Sequence, residues 1–130
     1  QVHNVRDTET HLKTIRRLRD EGKVRYTGIT TSFENTHPEF ERIMRTQKID
    51  FIQIDYALDN RKAEERILPL ARDLGIAVII NLPFGRNRLF AKAKGKAQEA
   101  DAIDNLNAAR GRIPDAKMRE EMLAWWDKLG

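Results

Sequence analysis

The chain has 130 residues, the length of one domain with a single core. Lys and Arg number 24 against 20 Asp and Glu, so the net charge is +4, and there is no cysteine, which excludes disulfides and thiolate metal sites. No apolar run approaches the ~20 residues of a membrane helix, so no membrane partner is expected and the expected location is the cytoplasm. Basic residues are mostly interleaved with acids. The acid-free basic stretch over 86–96 is not interleaved with enough aromatics for nucleic acid, which is not an expected partner.

Four short apolar runs recur about every 25 residues, at 1–4, 25–30, 51–56 and 76–81, and a helix-like segment follows each. After the first run, Asp7 or Thr8 suits a helix cap. Leu12, Ile15 and Leu18 form one stripe that runs to about Glu21, and Gly22 suits the C-cap. The second run ends at Thr30. Beyond the polar loop 31–36, Pro38 suits the first turn of a helix that buries Phe40, Ile43 and Met44. The third run alternates, with Ile52 and Ile54 on one side and Phe51, Gln53 and Asp55 on the other.

Asn60 suits the cap of a third helix carrying Ile67, Leu68, Leu70, Ala71 and Leu74. Pro69 is expected to kink it, and Gly75 to end it. Residues 76–80 form the most apolar run of the chain, as expected of a strand buried on both faces. Residues 82–97 then read as a long loop with at most one helical turn. A helix follows over about 98–110, and a last one, capped by Asp115, carries Met118, Met122, Trp125, Trp126 and Leu129. No fifth strand is found. The expected fold is α/β: four parallel βα units of a (β/α)8 barrel over 1–97, a half-barrel, with C-terminal helices over 98–130 packed on it. An open flavodoxin-like sandwich is the alternative.

Parallel barrels gather their active sites at the C-terminal ends of their strands. There the chain places His3, then Thr30, Thr31 and Ser32, then Gln53 and Tyr56, then Asn81. A ring of uncharged hydrogen-bonding groups suits a neutral, amide-bearing ligand; strand ends are also simply where chains become polar. His3 reads either as a catalytic group or as a buried histidine bonded to a carbonyl. The three histidines have no metal-ligand spacing, so no metal is expected.

Val2-His3-Asn4, the run from Gly22 through Lys23-Val24-Arg25-Tyr26-Thr27-Gly28-Ile29 to Thr30, and Phe51-Ile52-Gln53-Ile54-Asp55-Tyr56 resemble the middle of an aldo-keto reductase. Leu68-Pro69-Leu70-Ala71, Gly75-Ile76-Ala77-Val78, Pro83-Phe84-Gly85 and Asp104-Asn105-Leu106 extend the resemblance over nearly the whole chain. It implies strands four to seven of a TIM barrel that reduces small carbonyl substrates with NADPH. His3 then matches the histidine that orients the substrate. Thr30 and Thr31 stand where the family often has the Ser-Asn pair facing the nicotinamide amide, and Gln53 matches a glutamine at the same amide. Asn81 stands where a tyrosine commonly stacks on the ring. Phe84 lies in the pyrophosphate loop, and Asn105 resembles an adenine-side residue.

The family's catalytic Asp, Tyr and Lys belong to strands before the histidine, and only Gln1 and Val2 precede His3. The eighth strand has no counterpart between Lys96 and Asp104. The expectation is a truncated oxidoreductase chain without self-sufficient catalysis. The alternative is a non-catalytic half-barrel that pairs through its exposed strand edges, as a homodimer or an assembly module.

Overall fold

A computed structural model describes residues 1–94 and 115–128. The chain divides into two units, Gln1–Pro83 and Phe84–Gly130.

The first unit is built on a three-stranded parallel sheet, β1 (Gly28–Thr31), β2 (Phe51–Asp55) and β3 (Ala77–Asn81), in that spatial order. Helices α1 (Thr8–Asp20), α2 (His37–Thr46) and α3 (Ile67–Asp73) alternate with the strands. Val2, Ile29, Ile52 and Ile54 form the sheet's contribution to the core. Phe40, Ile43 and Met44 of α2 and Ile67, Leu70 and Ala71 of α3 close over it. Both helices use the i, i+3, i+4 spacing that gives a helix one apolar stripe. Each large side chain so buried contributes about 1.5–3 kcal/mol relative to exposure.

Two helix ends follow one local rule. At Gly75 (φ +65°) the Ile76 N–H reaches the Ala71 carbonyl at 2.8 Å and the Gly75 N–H reaches Arg72 at 3.1 Å. This is the paired bonding of a left-handed helix stop, which favours glycine because a Cβ is strained there. The same two bonds recur at the end of α1, from Lys23 to Leu18 and from Gly22 to Arg19.

Three expectations are corrected. Four strands were expected, and three form among the described residues. The first run is reduced to Val2, which makes a single parallel bridge to Ile29. The Val2 N–H donates to Gly28 and its carbonyl accepts from Thr30, but the chain then turns at once through left-handed Asn4, Val5 and Asp7. Next, β3 is not buried on both faces. It lies at the edge of the described sheet, with Val78, Ile79 and Ile80 at 39%, 46% and 37% exposure. Finally, Pro69 does not kink a long helix. A short turn at Lys62–Glu64 precedes α3, which starts at Ile67. Pro69 therefore falls in the first helical turn, where an N–H has no intrahelical partner to lose.

In the second unit a turn at Gly85–Asn87 leads into α4 (Arg88–Ala93), and the last described element is α5 (Ala116–Lys128). Asp115 caps α5 as expected, its Oδ1 accepting the Met118 N–H at 2.9 Å. The Phe84 and Phe90 rings stand 5.3 Å apart, and the Lys92 ammonium lies 4.1 Å from the buried Trp126 ring. The helix expected over 98–110 lies outside the described residues. None of the described helices is long and apolar enough to cross a membrane.

Candidate functional site

Parallel pairing aligns Thr30, Gln53 and Ile79 across the three strands, and Asp55 opposite Asn81 two residues further on. Side chains alternate along a strand, so Thr30, Gln53, Asp55 and Asn81 share the face opposite Ile29, Ile52 and Ile54. The chain thereby gathers a polar row on one face, at the C-terminal ends of the strands. Gln1 joins it from the far side of β1: its Nε2 donates to Gln53 Oε1 at 2.6 Å. Sequence reasoning missed Gln1. Its position next to Val2, which faces the core, was the available signal.

Asn81 is held from one side. Its Nδ2 donates to Ser32 Oγ at 3.0 Å, while its Oδ1 is buried and accepts no hydrogen bond among the described residues. A buried amide oxygen left without a donor costs free energy, unless something supplies one. Thr30, on the same face, is 4% exposed.

Thr31 faces the other way. It is fully buried, its hydroxyl pairs with that of Thr36 at 2.7 Å, and it accepts the Phe33 N–H at 3.1 Å. Its side chain closes the loop between β1 and α2 instead of joining the row. His3 is exposed in the turn His3–Val5 and lines a groove of 460 Å³ with Gln1, Arg6 and residues of α1. Phe84 is exposed in the second unit, and Asn105 lies outside the described residues.

Just past β1, His37 opens α2. Partial burial pushes its imidazole pKa below the ordinary value, and the nearby Lys62 adds to this. Glu34, Asp55 and Glu65 oppose the shift. No cluster of three His, Asp or Glu able to hold a metal occurs among the described residues.

The aldo/keto reductase family model matches residues 1–128. The chain belongs to the aldo/keto reductase family. Among curated proteins, "Probable aldo-keto reductase 1" of Glycine max is 33% identical over 94 residues, which is 72% of this chain and 26% of that protein. The chain thus spans about a quarter of the length of that relative. No solved structure gives a significant match. For an aldo/keto reductase, the polar row and its unanswered amide oxygen are the features of this chain suited to an amide-bearing ligand.

Proposed function

We propose that this aldo/keto reductase chain serves NADPH-dependent reduction of a small carbonyl compound. Thr30, Gln53 and Asn81 would hold the nicotinamide carboxamide, and His3 would orient the substrate. The observation that carries the reading is Asn81 Oδ1, a buried acceptor lacking a donor, in a row with the Thr30 hydroxyl, the Gln53 amide and the Asp55 carboxylate. A carboxamide N–H is the donor it lacks, and Gln53 and Thr30 offer further acceptors, so these residues fit the group. When bound, NADPH supplies a hydride to the carbonyl carbon. His3 holds the carbonyl oxygen by hydrogen bonding from its exposed turn. Phe84 and Asn105 belong to the same reading through the family resemblance alone.

The family's proton-donating Tyr, with its Asp and Lys, has no counterpart among these 130 residues. Groups that act as a catalytic unit lose several orders of magnitude when members are missing. The 130 residues alone are thus expected to bind NADPH without steady turnover. A fluorescence titration with NADPH followed by an aldehyde assay tests both halves. Saturable binding with no NADPH oxidation above background is expected. Absence of binding contradicts the cofactor assignment, and rapid turnover contradicts the lack of self-sufficiency.

A second reading is favoured by β3. Its exposed Val78, Ile79 and Ile80 suit a non-catalytic module that pairs with a second copy through strand edges. Light scattering at micromolar concentration should then give twice the chain mass of 15.1 kDa, and a monomer mass sinks it.

A further inference from the structure

The groove beside His3 has chemistry that the nicotinamide row does not use. It runs between the first six residues and α1, and is lined by Gln1, His3, Arg6, His11, Thr14 and Ile15, together with Val2. Its 460 Å³ lies within the range of small-molecule sites. Two of its polar groups are already committed: Gln1 Nε2 to Gln53, and the Thr14 hydroxyl to the Thr10 carbonyl at 3.1 Å. Left over are the His11 imidazole and the Arg6 guanidinium, beside His3. None of the three side chains has a hydrogen bond or ion pair among the described residues, and no carboxylate lines the groove.

Arg6 shares that lack with Arg25, whose guanidinium lies over the Tyr26 ring, and differs from the ion-paired arginines of the first unit. Arg17, Arg42, Arg45 and Arg66 each meet a carboxylate within 3 Å. The backbone also commits Arg6 to its place. Asn4 (φ 53°), Val5 (φ 47°) and Asp7 (φ 43°) are all left-handed, and a β-branched residue there is a steric outlier. The turn is closed by the Arg6 N–H on the His3 carbonyl at 3.3 Å. Strain of this kind persists where the surrounding structure enforces it, often beside a functional group. Here the turn puts Arg6 on the same groove as His3.

We infer that this groove is an oxyanion-recognition site, in which Arg6 and His11, beside the His3 that orients the carbonyl, take a carboxylate or phosphate carried by the same substrate. The inference rests on the assignment of His3 to the substrate side. It deepens that assignment by naming the substrate class: an aldehyde or ketone bearing an anionic group. A guanidinium binds such a group through paired N–H donors, and an exposed groove gives modest affinity.

The test needs neither NADPH nor turnover, so its outcome is independent of the reductase reading. Imidazole ring resonances of the 130-residue chain are followed by NMR during titration with inorganic phosphate and, separately, acetate, at fixed pH and ionic strength. His37 does not line the groove and serves as the internal reference. The expected result is saturable movement of His3 and His11, with His37 still. Arg6→Gln should weaken the response about tenfold, and Arg6→Lys, which keeps the charge, should weaken it less. Saturation by either anion supports the site, and the tighter of the two names the substrate's group. Drift of all three histidines together, or an affinity unchanged in Arg6→Gln, overturns it.

Discussion

Asp50 Oδ2 accepts two hydrogen bonds from one residue, the Thr27 backbone N–H at 2.7 Å and its hydroxyl at 2.9 Å. The Thr27 carbonyl in turn accepts the Asp50 N–H at 2.8 Å, and Arg19 stands 3.7 Å from the same carboxylate. This clamp ties the start of β1 to the start of β2, at the end of the sheet away from the polar row. Thr27 is fully buried, so the carboxylate answers a hydroxyl that water cannot reach.

The clamp makes stability depend on acid. The Thr27 backbone N–H, then its hydroxyl and Arg19, hold the Asp50 carboxyl below the usual carboxylate range, against a smaller opposing effect of burial. A carboxyl depressed in the folded state contributes stability above its unfolded pKa of about 3.9 and loses it as pH falls through the folded value. Asp50→Asn should lower stability near neutral pH by roughly 1 kcal/mol, a figure reduced because the side chain is about a third exposed. Urea unfolding of both proteins across the acid range checks this. The difference should shrink toward low pH, and a constant difference would count against the clamp.

Glu41 is the most buried acid among the described residues, at 8% exposure on α2. Its Oε1 meets Arg45 at 2.9 Å and its Oε2 meets Arg66, just before α3, at 2.7 Å. Removing both arginines leaves a buried carboxylate unanswered, which costs more than removing the acid from two exposed arginines. The double variant Arg45→Ala with Arg66→Ala should lose about 1–3 kcal/mol, and adding Glu41→Gln should recover part of it. Equal stabilities with and without Glu41→Gln would contradict the assignment.

His37 gives a dependence near neutrality. Because burial lowers its folded pKa below about 6.5, the unfolded chain binds the proton more readily between the two values. Its contribution is full above the unfolded value and is lost as pH falls through the folded one. The wild-type melting temperature should therefore drop more steeply through that window than that of His37→Gln. An NMR titration should place His37 below the ordinary imidazole value.

Local pattern carried much of this fold. Phe40, Ile43 and Met44 declare the buried face of α2, Ile52 and Ile54 that of β2, and Gly22 and Gly75 mark the ends of their helices, because each signal depends on neighbours a few residues away. The edge position of β3 was not legible. An apolar run reads the same whether neighbours flank a strand on both sides or one, and Val78 to Ile80 supplied only the run. The single-residue pairing of Val2 depends on the left-handed turn after it, which Asn4 permits but Val5 does not advertise.

At the candidate site, the family resemblance singled out His3, Gln53 and Asn81, and the family model bears out the membership itself. The Gln1–Gln53 and Ser32–Asn81 contacts join residues 52 and 49 apart, which spacing along the chain does not reveal. Thr30 and Thr31 looked equivalent as neighbours. The pleat sends them to opposite faces, so only Thr30 joins the polar row.

The central claim is that Asn81 Oδ1 awaits the nicotinamide amide. Its most direct test is the NADPH dissociation constant of the wild type against Asn81→Leu, with an adenine nucleotide lacking the nicotinamide as the control ligand. The account predicts that Asn81→Leu weakens NADPH binding about tenfold, the scale of one lost hydrogen bond in a buried site, and leaves the control ligand unchanged. Identical NADPH affinities in the two proteins, or an equal loss for the control ligand, would contradict it.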